Sequence, residues 1–266
     1  MLSIAVPSNA AAAETWTKNI YVSRGYLTQD PYMSSCVGAA TMMMLNFSRM
    51  SGTGGDGFVW QNSVIKNSSN PSFSRDLTSV QWWTRRYDTL SSAGKGSDAH
   101  GWRNALNYFG WGPEAISDPD KRVYEDIQFT SFTSALNTAV KAIAQYDKPV
   151  GILGWAGEHA QVMTGYVAVG EDPAESDDFT VTHVYLSDPL ASASIRNKLY
   201  TASSFRSGSL KIRFRSYRET DSPKDDGYTS GWIHSAVSPS RAQSEWYARW
   251  VIVAPVRSGL PDGEGS

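Results

Sequence analysis

The chain has 266 residues, of which 41% are apolar and 19% charged, a globular composition that excludes wholesale disorder. Its 24 basic and 26 acidic residues give a net charge of −2, which argues against a nucleic-acid partner held by overall charge. No run approaches the roughly 20 apolar residues of a transmembrane helix, so no integral membrane span is expected. The length suits one large domain, with a monomer favoured.

The N-terminal residues 1–13, MLSIAVPSNAAAA, end in the small-residue pattern that signal peptidase cleaves. Their apolar run is short, and no Lys or Arg precedes Lys18. We therefore expect residues 1–13 to be a signal-peptide remnant or a flexible leader. This favours a secreted, extracellular protein, with a cytoplasmic location as the alternative. Residues 14–256 are expected to form one domain, and residues 257–266 a flexible tail.

Apolar residues at helical spacing dominate the first half of the chain. They predict helices over residues 36–49, 75–90, 98–109 and 132–146. Ser34 or Ser35 can cap the first helix, which begins at Cys36. Asp98 is expected to cap the third, and Gly110 to end it.

Strand signals dominate the second half of the chain. Strands are predicted over residues 150–153, 161–169, 180–186, 210–217 and 250–253. The second and third flank an acidic turn near Pro173 and should form a hairpin whose paired residue numbers sum to about 347. That register places His159 opposite Asp188 on the adjacent strand. Helices followed by strands predict an α+β fold.

Cys36 is the only cysteine, which excludes an intramolecular disulfide, a four-thiolate zinc site and a cysteine-held iron–sulfur cluster. The N-terminus of a helix stabilises a thiolate through its free N–H groups and its dipole. A carboxylate beside His159 would fix the tautomer and orientation of the imidazole. No His, Asp and Glu set has metal-ligand spacing, and no cofactor is expected. No catalytic partner can be named from sequence for the other histidines, His100, His183 and His234.

Three segments in chain order carry a resemblance to a known family. They are QDPYMSSCVGAATMMML from Gln29, KPVGILGW with GEHAQVMTGY around His159, and VYLSDPL around Asp188. Together they resemble the papain-like cysteine peptidases, in particular the bacterial family related to the double-glycine-leader (bacteriocin-processing) peptidases. The resemblance spans residues 29–189, about three-fifths of the chain.

The resemblance implies a papain-like two-lobed fold, in which a helical lobe carries Cys36 and an antiparallel β lobe carries His159 and Asp188. It implies that Cys36 is the nucleophile, His159 the general base and acid, and Asp188 the orienting carboxylate. Gln29 would donate to the oxyanion, and the substrate would be a peptide or protein. Two positions depart from the family pattern: Gln29 precedes Cys36 by seven positions where six is usual, and Val37 stands where Gly is frequent.

Three alternatives remain open from sequence. A thiol amidase or acyltransferase acting on cell-wall or isopeptide amides would use the same residues, because the acyl-enzyme chemistry is shared. A catalytically lapsed binding module could keep the same scaffold. The ten tryptophans also fit a carbohydrate binder in which the cysteine is incidental.

Overall fold

The computed structural model describes residues 13–29, 35–50, 80, 83–84, 97–190, 195–209, 213–218 and 246–259. Within these ranges the chain has an α+β fold, as predicted, with helices packed on an antiparallel sheet. The helices are α1 (Cys36–Met50), α2 (Ala99–Trp111), α3 (Glu114–Ser117), α4 (Phe132–Tyr146) and α5 (Ala202–Ser207). The strands are β1 (Thr15–Asn19), β2 (Tyr124–Phe129), β3 (Val150–Gly154), β4 (His159–Gly170), β5 (Phe179–Ser187), β6 (Lys198–Thr201) and β7 (Trp250–Pro255).

The sheet has the strand order β2-β7-β3-β4-β5-β6, and β1 also pairs with β4. Because β5 occupies one edge of β4, the strands β3 and β1 lie one after the other along the opposite edge. The long strand β4 is therefore paired on both sides, and it begins at His159. This places the start of β4 next to the end of β3 and the end of β5.

Helices cover both faces of the sheet, and the alternation of side chains along β7 shows how. Val251 and Val253 pack with α1 and α2 in one core, whereas Ile252 and Ala254 pack with α4 in another. Four apolar residues at helical spacing in α1 all belong to the first core: Val37, Ala40, Met44 and Phe47.

The ends of α2 show which local signals set helix boundaries. The Asp98 carboxylate accepts a hydrogen bond from the Gly101 N–H (3.0 Å), which confirms Asp98 as the N-cap. The helix runs past the predicted end at Gly110, because Gly112, with a positive φ of 82°, forms the C-cap instead. The helix α4 has the predicted bounds, residues 132–146.

The predicted strand over residues 210–217 is wrong for the described residues 213–217, which lie outside the sheet. This segment runs beside the β3–β4 turn, where the Trp155 N–H donates to the Arg213 carbonyl (3.0 Å). Phe214 and Tyr217 are buried in different cores. These two packing contacts, and not strand pairing, hold residues 213–217 in place.

Other predictions fall largely outside the described residues. Of the predicted helix over residues 75–90, only Val80, Trp83 and Thr84 are described, and all three are helical and buried. Of the predicted leader, only residue 13 is described, and of the predicted tail only residues 257–259. No helix in the described ranges has the length and apolar character needed to cross a membrane.

Candidate active site

Cys36 is the first residue of α1, as predicted, and the residue is partly exposed. The first N–H groups of a helix have no partner within the helix. One of them, from Val37, bonds the Cys36 sulfur, and the backbone of Ala160 at the start of β4 also bonds it. The sulfur therefore lies between the N-terminus of α1 and the first residues of β4.

His159 is the first residue of β4 and pairs with Gly154, the last residue of β3. Its imidazole is 4% exposed and makes a hydrogen bond with the Cys36 side chain. On its other side, Nε2 donates to Asp188 Oδ1 over 2.8 Å. Since Nε2 faces the carboxylate, Nδ1 is the ring nitrogen that remains for the sulfur.

The turn before His159 has an unusual backbone. Trp155, Ala156 and Gly157 have positive φ angles of 52°, 66° and 105°, and the first two are not glycines. The turn also brings the Trp155 indole against the His159 imidazole, with ring centroids 4.5 Å apart. Strained backbone that persists is held by its surroundings. Here it positions an aromatic ring over the imidazole.

Asp188 directly follows β5 and is completely buried. Its Oδ1 accepts hydrogen bonds from His159 and from the Leu190 N–H (2.8 Å), and its Oδ2 accepts one from Gln161 Nε2 (2.7 Å). The Tyr26 hydroxyl donates to the Asp188 carbonyl (2.6 Å). Both carboxylate oxygens are therefore held, and the backbone of the residue is anchored as well.

The predicted hairpin register is wrong by two or three residues. Val162 pairs with Ser187, so numbers sum to 349 there, and irregularities near Thr164 and after Val167 raise the sum to 350 in between. Continuing the register past Ser187 puts Asp188 opposite Gln161, with His159 two positions along the same side of β4. The predicted contact with His159 is nevertheless present, as a diagonal pair.

Cys36 and His159 shift each other's pKa. Burial opposes the charged form of both groups, but other interactions outweigh it. The hydrogen bond and charge of His159, with the two backbone contacts, lower the pKa of the Cys36 thiol. Hydrogen bonds to Asp188 and Cys36 raise the pKa of His159 to about 9. Both shifts favour the thiolate–imidazolium form of the pair.

Gln29 is buried, with 2% of its surface exposed. Its backbone N–H donates to the Pro189 carbonyl (2.8 Å), which ties the chain ahead of α1 to the residue after Asp188. Residues 30–34, between Gln29 and the start of α1, lie outside the described ranges. The predicted role of the Gln29 amide toward an oxyanion stays a prediction.

Two other histidines are described, and they lie apart from this cluster. His183 Nδ1 bonds the Thr182 hydroxyl (3.0 Å), and His100 pairs with Asp126. Sequence reasoning did not identify Gln161 or Trp155 as site residues. A usable signal existed for Gln161, because a residue two positions after His159 on a strand points to the same side.

Within the described residues, no group of three or more His, Cys, Asp or Glu side chains is arranged to hold a metal ion. A scan against protein-family models finds no match for this chain, and a search of curated proteins finds none either.

Proposed function

We propose that the protein is a cysteine peptidase with a papain-like fold, and that Cys36, His159 and Asp188 are its nucleophile, acid–base and orienting groups. The observation that carries the proposal is one continuous series of hydrogen bonds. It runs from the Cys36 sulfur at a helix N-terminus, through a buried imidazole, to a fully buried carboxylate. This is the arrangement that nucleophilic catalysis by a thiol requires.

In the acylation step, the Cys36 thiolate attacks the carbonyl carbon of a peptide bond. A carbon–sulfur bond forms and the carbon–nitrogen bond breaks, while the His159 imidazolium gives its proton to the leaving amine. The products of this step are a free amine, a thioester on Cys36 and a neutral imidazole. The Asp188 carboxylate keeps the ring oriented through Nε2, so that Nδ1 stays directed at the reacting atoms.

In the deacylation step, the neutral His159 takes a proton from water as the water oxygen attacks the thioester. The carbon–sulfur bond breaks, a carboxylic acid leaves, and the thiolate–imidazolium pair is restored. One water molecule is consumed for each peptide bond cleaved. The raised pKa of His159 favours its return to the charged form.

Both steps pass through a tetrahedral oxyanion, which needs hydrogen-bond donors. We assign this role to the Cys36 backbone N–H at the start of α1 and to the Gln29 side chain. The tie between Gln29 and Pro189 supports the assignment, because it fixes the chain near Asp188 before α1 begins. A peptide or protein substrate and a secreted location complete the proposal.

The test compares the wild-type protein with Cys36→Ala on an unfolded protein substrate such as casein. We expect wild-type cleavage and no detectable cleavage by the variant, because no other thiol exists in the chain. Thermal unfolding of both proteins is the control, since the side chain is small and the residue is partly exposed. Cys36→Ser is the matched variant: it keeps the size of the side chain and loses the thiolate.

Cleavage by Cys36→Ala at the wild-type rate would exclude the mechanism. A wild-type protein whose Cys36 is activated but which cleaves no peptide bond would exclude peptidase activity. It would favour instead the amidase or acyltransferase chemistry that the same residues can support.

A further inference from the structure

We propose that Gln161 is a positioning residue of this site, which holds the Asp188 carboxylate in the plane and orientation that His159 requires. The inference rests on the proposed function and extends it to a side chain to which the resemblance above assigns no role. Gln161 is fully buried, and its Nε2 lies 2.7 Å from Asp188 Oδ2. In this role its effect passes through Asp188 and the imidazole.

The two carboxylate oxygens of Asp188 accept hydrogen bonds from different donors. Oδ1 accepts from His159 and from the Leu190 N–H, while Oδ2 accepts from Gln161. A carboxylate can rotate about its Cβ–Cγ bond, and donors on both oxygens oppose that rotation. The bond from Gln161 therefore fixes the direction of the Oδ1 lone pair that meets His159.

The neutrality of the Gln161 amide matters as much as its position. An Arg or Lys in its place would share the negative charge of Asp188 and would repel the His159 imidazolium. An amide donates a hydrogen bond and brings no net charge. The Asp188 charge then remains directed at the imidazole, in line with the raised pKa of His159.

The neighbouring strand leaves room for this side chain. A Cβ atom at Gly154 would lie 3.0 Å from Gln161 Oε1, closer than ordinary packing. The φ of Gly154 is −77°, which any residue adopts, so the backbone does not require glycine there. Because Gly154 has no side chain, it leaves the space that the Gln161 side chain occupies.

The experiment measures the rate at which iodoacetamide alkylates Cys36 between pH 5 and pH 9. Because Cys36 is the only cysteine, the rate reports one thiolate without any assumption about substrate. Gln161→Met keeps the length of the side chain and removes its donor. Gln161→Glu keeps its shape and can donate to Asp188 only while its carboxyl is protonated. Thr182→Val is the matched control, since it removes a hydroxyl at the far end of the same hairpin, which bonds the Val167 carbonyl (3.1 Å) and His183 Nδ1 (3.0 Å).

We expect Gln161→Met to slow alkylation at pH 6 about tenfold, the size of effect typical for losing a hydrogen bond to a charged group. Gln161→Glu should react like the wild type at pH 5 and fall reversibly below it as the pH rises and the two carboxylates repel. If Gln161 only filled space, Gln161→Met would be alkylated at the wild-type rate, because methionine keeps the length of the side chain. Thr182→Val should match the wild type throughout.

Wild-type rates in both Gln161 variants at every pH would overturn the positioning role and leave the proposed peptidase intact. A wild-type protein that titrates like an ordinary thiol near pH 8.5 would instead overturn the proposed function itself. If Gln161→Met does not fold, Gln161→Glu still tests the positioning role, because the alkylation rates of one protein are compared at two pH values. Should that variant fail as well, Gly154→Ala decides: it should displace the amide and slow alkylation, and an unchanged rate contradicts the inference.

Discussion

Two histidine–aspartate pairs lie in the described part of the chain, and they differ in what else the aspartate binds. His159 meets Asp188 over 2.8 Å, and His100 meets Asp126 over 3.1 Å, with all four side chains nearly or fully buried. Asp188 has the neutral Gln161 on its second oxygen, whereas Asp126 has the charged Arg103 (2.8 Å) on its second oxygen.

The surroundings of the two imidazoles differ as well. The ring of His159 bonds the Cys36 sulfur, while the ring of His100 packs against the Trp246 indole with centroids 4.5 Å apart. A buried His–Asp pair is thus insufficient to define a catalytic site. A nucleophile within reach, and an aspartate whose charge is not taken by a neighbouring cation, separate the two cases.

The largest effect is expected when the histidine of the first pair, His159, is replaced. His159→Ala should lower casein cleavage by roughly a thousandfold, because it removes both the proton donor and the group that stabilises the thiolate. It should also slow alkylation of Cys36 at pH 6 about a hundredfold, since the thiol returns toward its ordinary pKa. Steady-state cleavage assays and iodoacetamide labelling give these two numbers.

His100→Gln is the matched variant in the second pair. It keeps a polar side chain of similar size beside Asp126, and alkylation of Cys36 should stay within about twofold of the wild type. A thousandfold loss of cleavage in His100→Gln, with the fold intact, would show that the wrong pair has been assigned to catalysis.

The second prediction concerns stability and the aspartate of the second pair, Asp126. Asp126→Asn leaves the buried Arg103 guanidinium without its closest counter-charge, and we expect about 3 kcal/mol of destabilisation in urea unfolding. Glu125→Gln is the control: Glu125 also reaches Arg103, over 3.4 Å, but is only partly buried. It should cost less than about 1 kcal/mol. Equal losses in the two variants would mean that burial of the Asp126 carboxylate carries no particular weight.

The local elements of the site could be predicted from sequence, and its pairing geometry could not. A helix beginning at Cys36 follows from apolar spacing, and the ends of the strands near His159 and Asp188 follow from β-rich runs and a proline. The register depended on irregularities near Thr164 and after Val167, which leave no mark in composition. The presence of glutamine at position 161 likewise does not reveal which carboxylate its side chain bonds.

The strand β2 was missed for a related physical reason. Its sequence YEDIQF places two acids side by side, and a strand with adjacent charges resembles a loop when only hydrophobicity is considered. In the structure the Glu125 and Asp126 carboxylates are matched by His100 and Arg103 from α2 and by Arg122. Long-range charge pairing made the strand viable, and a single sequence does not reveal such pairs.

The third prediction concerns the pH dependence of the stability that Asp126 contributes. Burial opposes ionisation of Asp126, but the Arg103 charge and His100 overcome it and lower the pKa of this carboxyl from 3.8 to about 2. A carboxyl with a lowered pKa stabilises the folded protein above its unfolded pKa, and that contribution is lost as the pH falls through the folded value. From pH 5 to pH 2, Asp126 should therefore lose about 2 kcal/mol of its contribution to folding.

All carboxylates of the chain titrate in that range, so the measured quantity must be a difference. The gap in unfolding free energy between the wild type and Asp126→Asn should narrow by about 2 kcal/mol between pH 5 and pH 2, because asparagine does not titrate. The corresponding gap for Glu125→Gln should change less, since that carboxylate is partly exposed. A gap for Asp126→Asn that stays constant over this range would mean that Arg103 does not hold Asp126 ionised, and the contrast with Asp188 would lose its electrostatic basis.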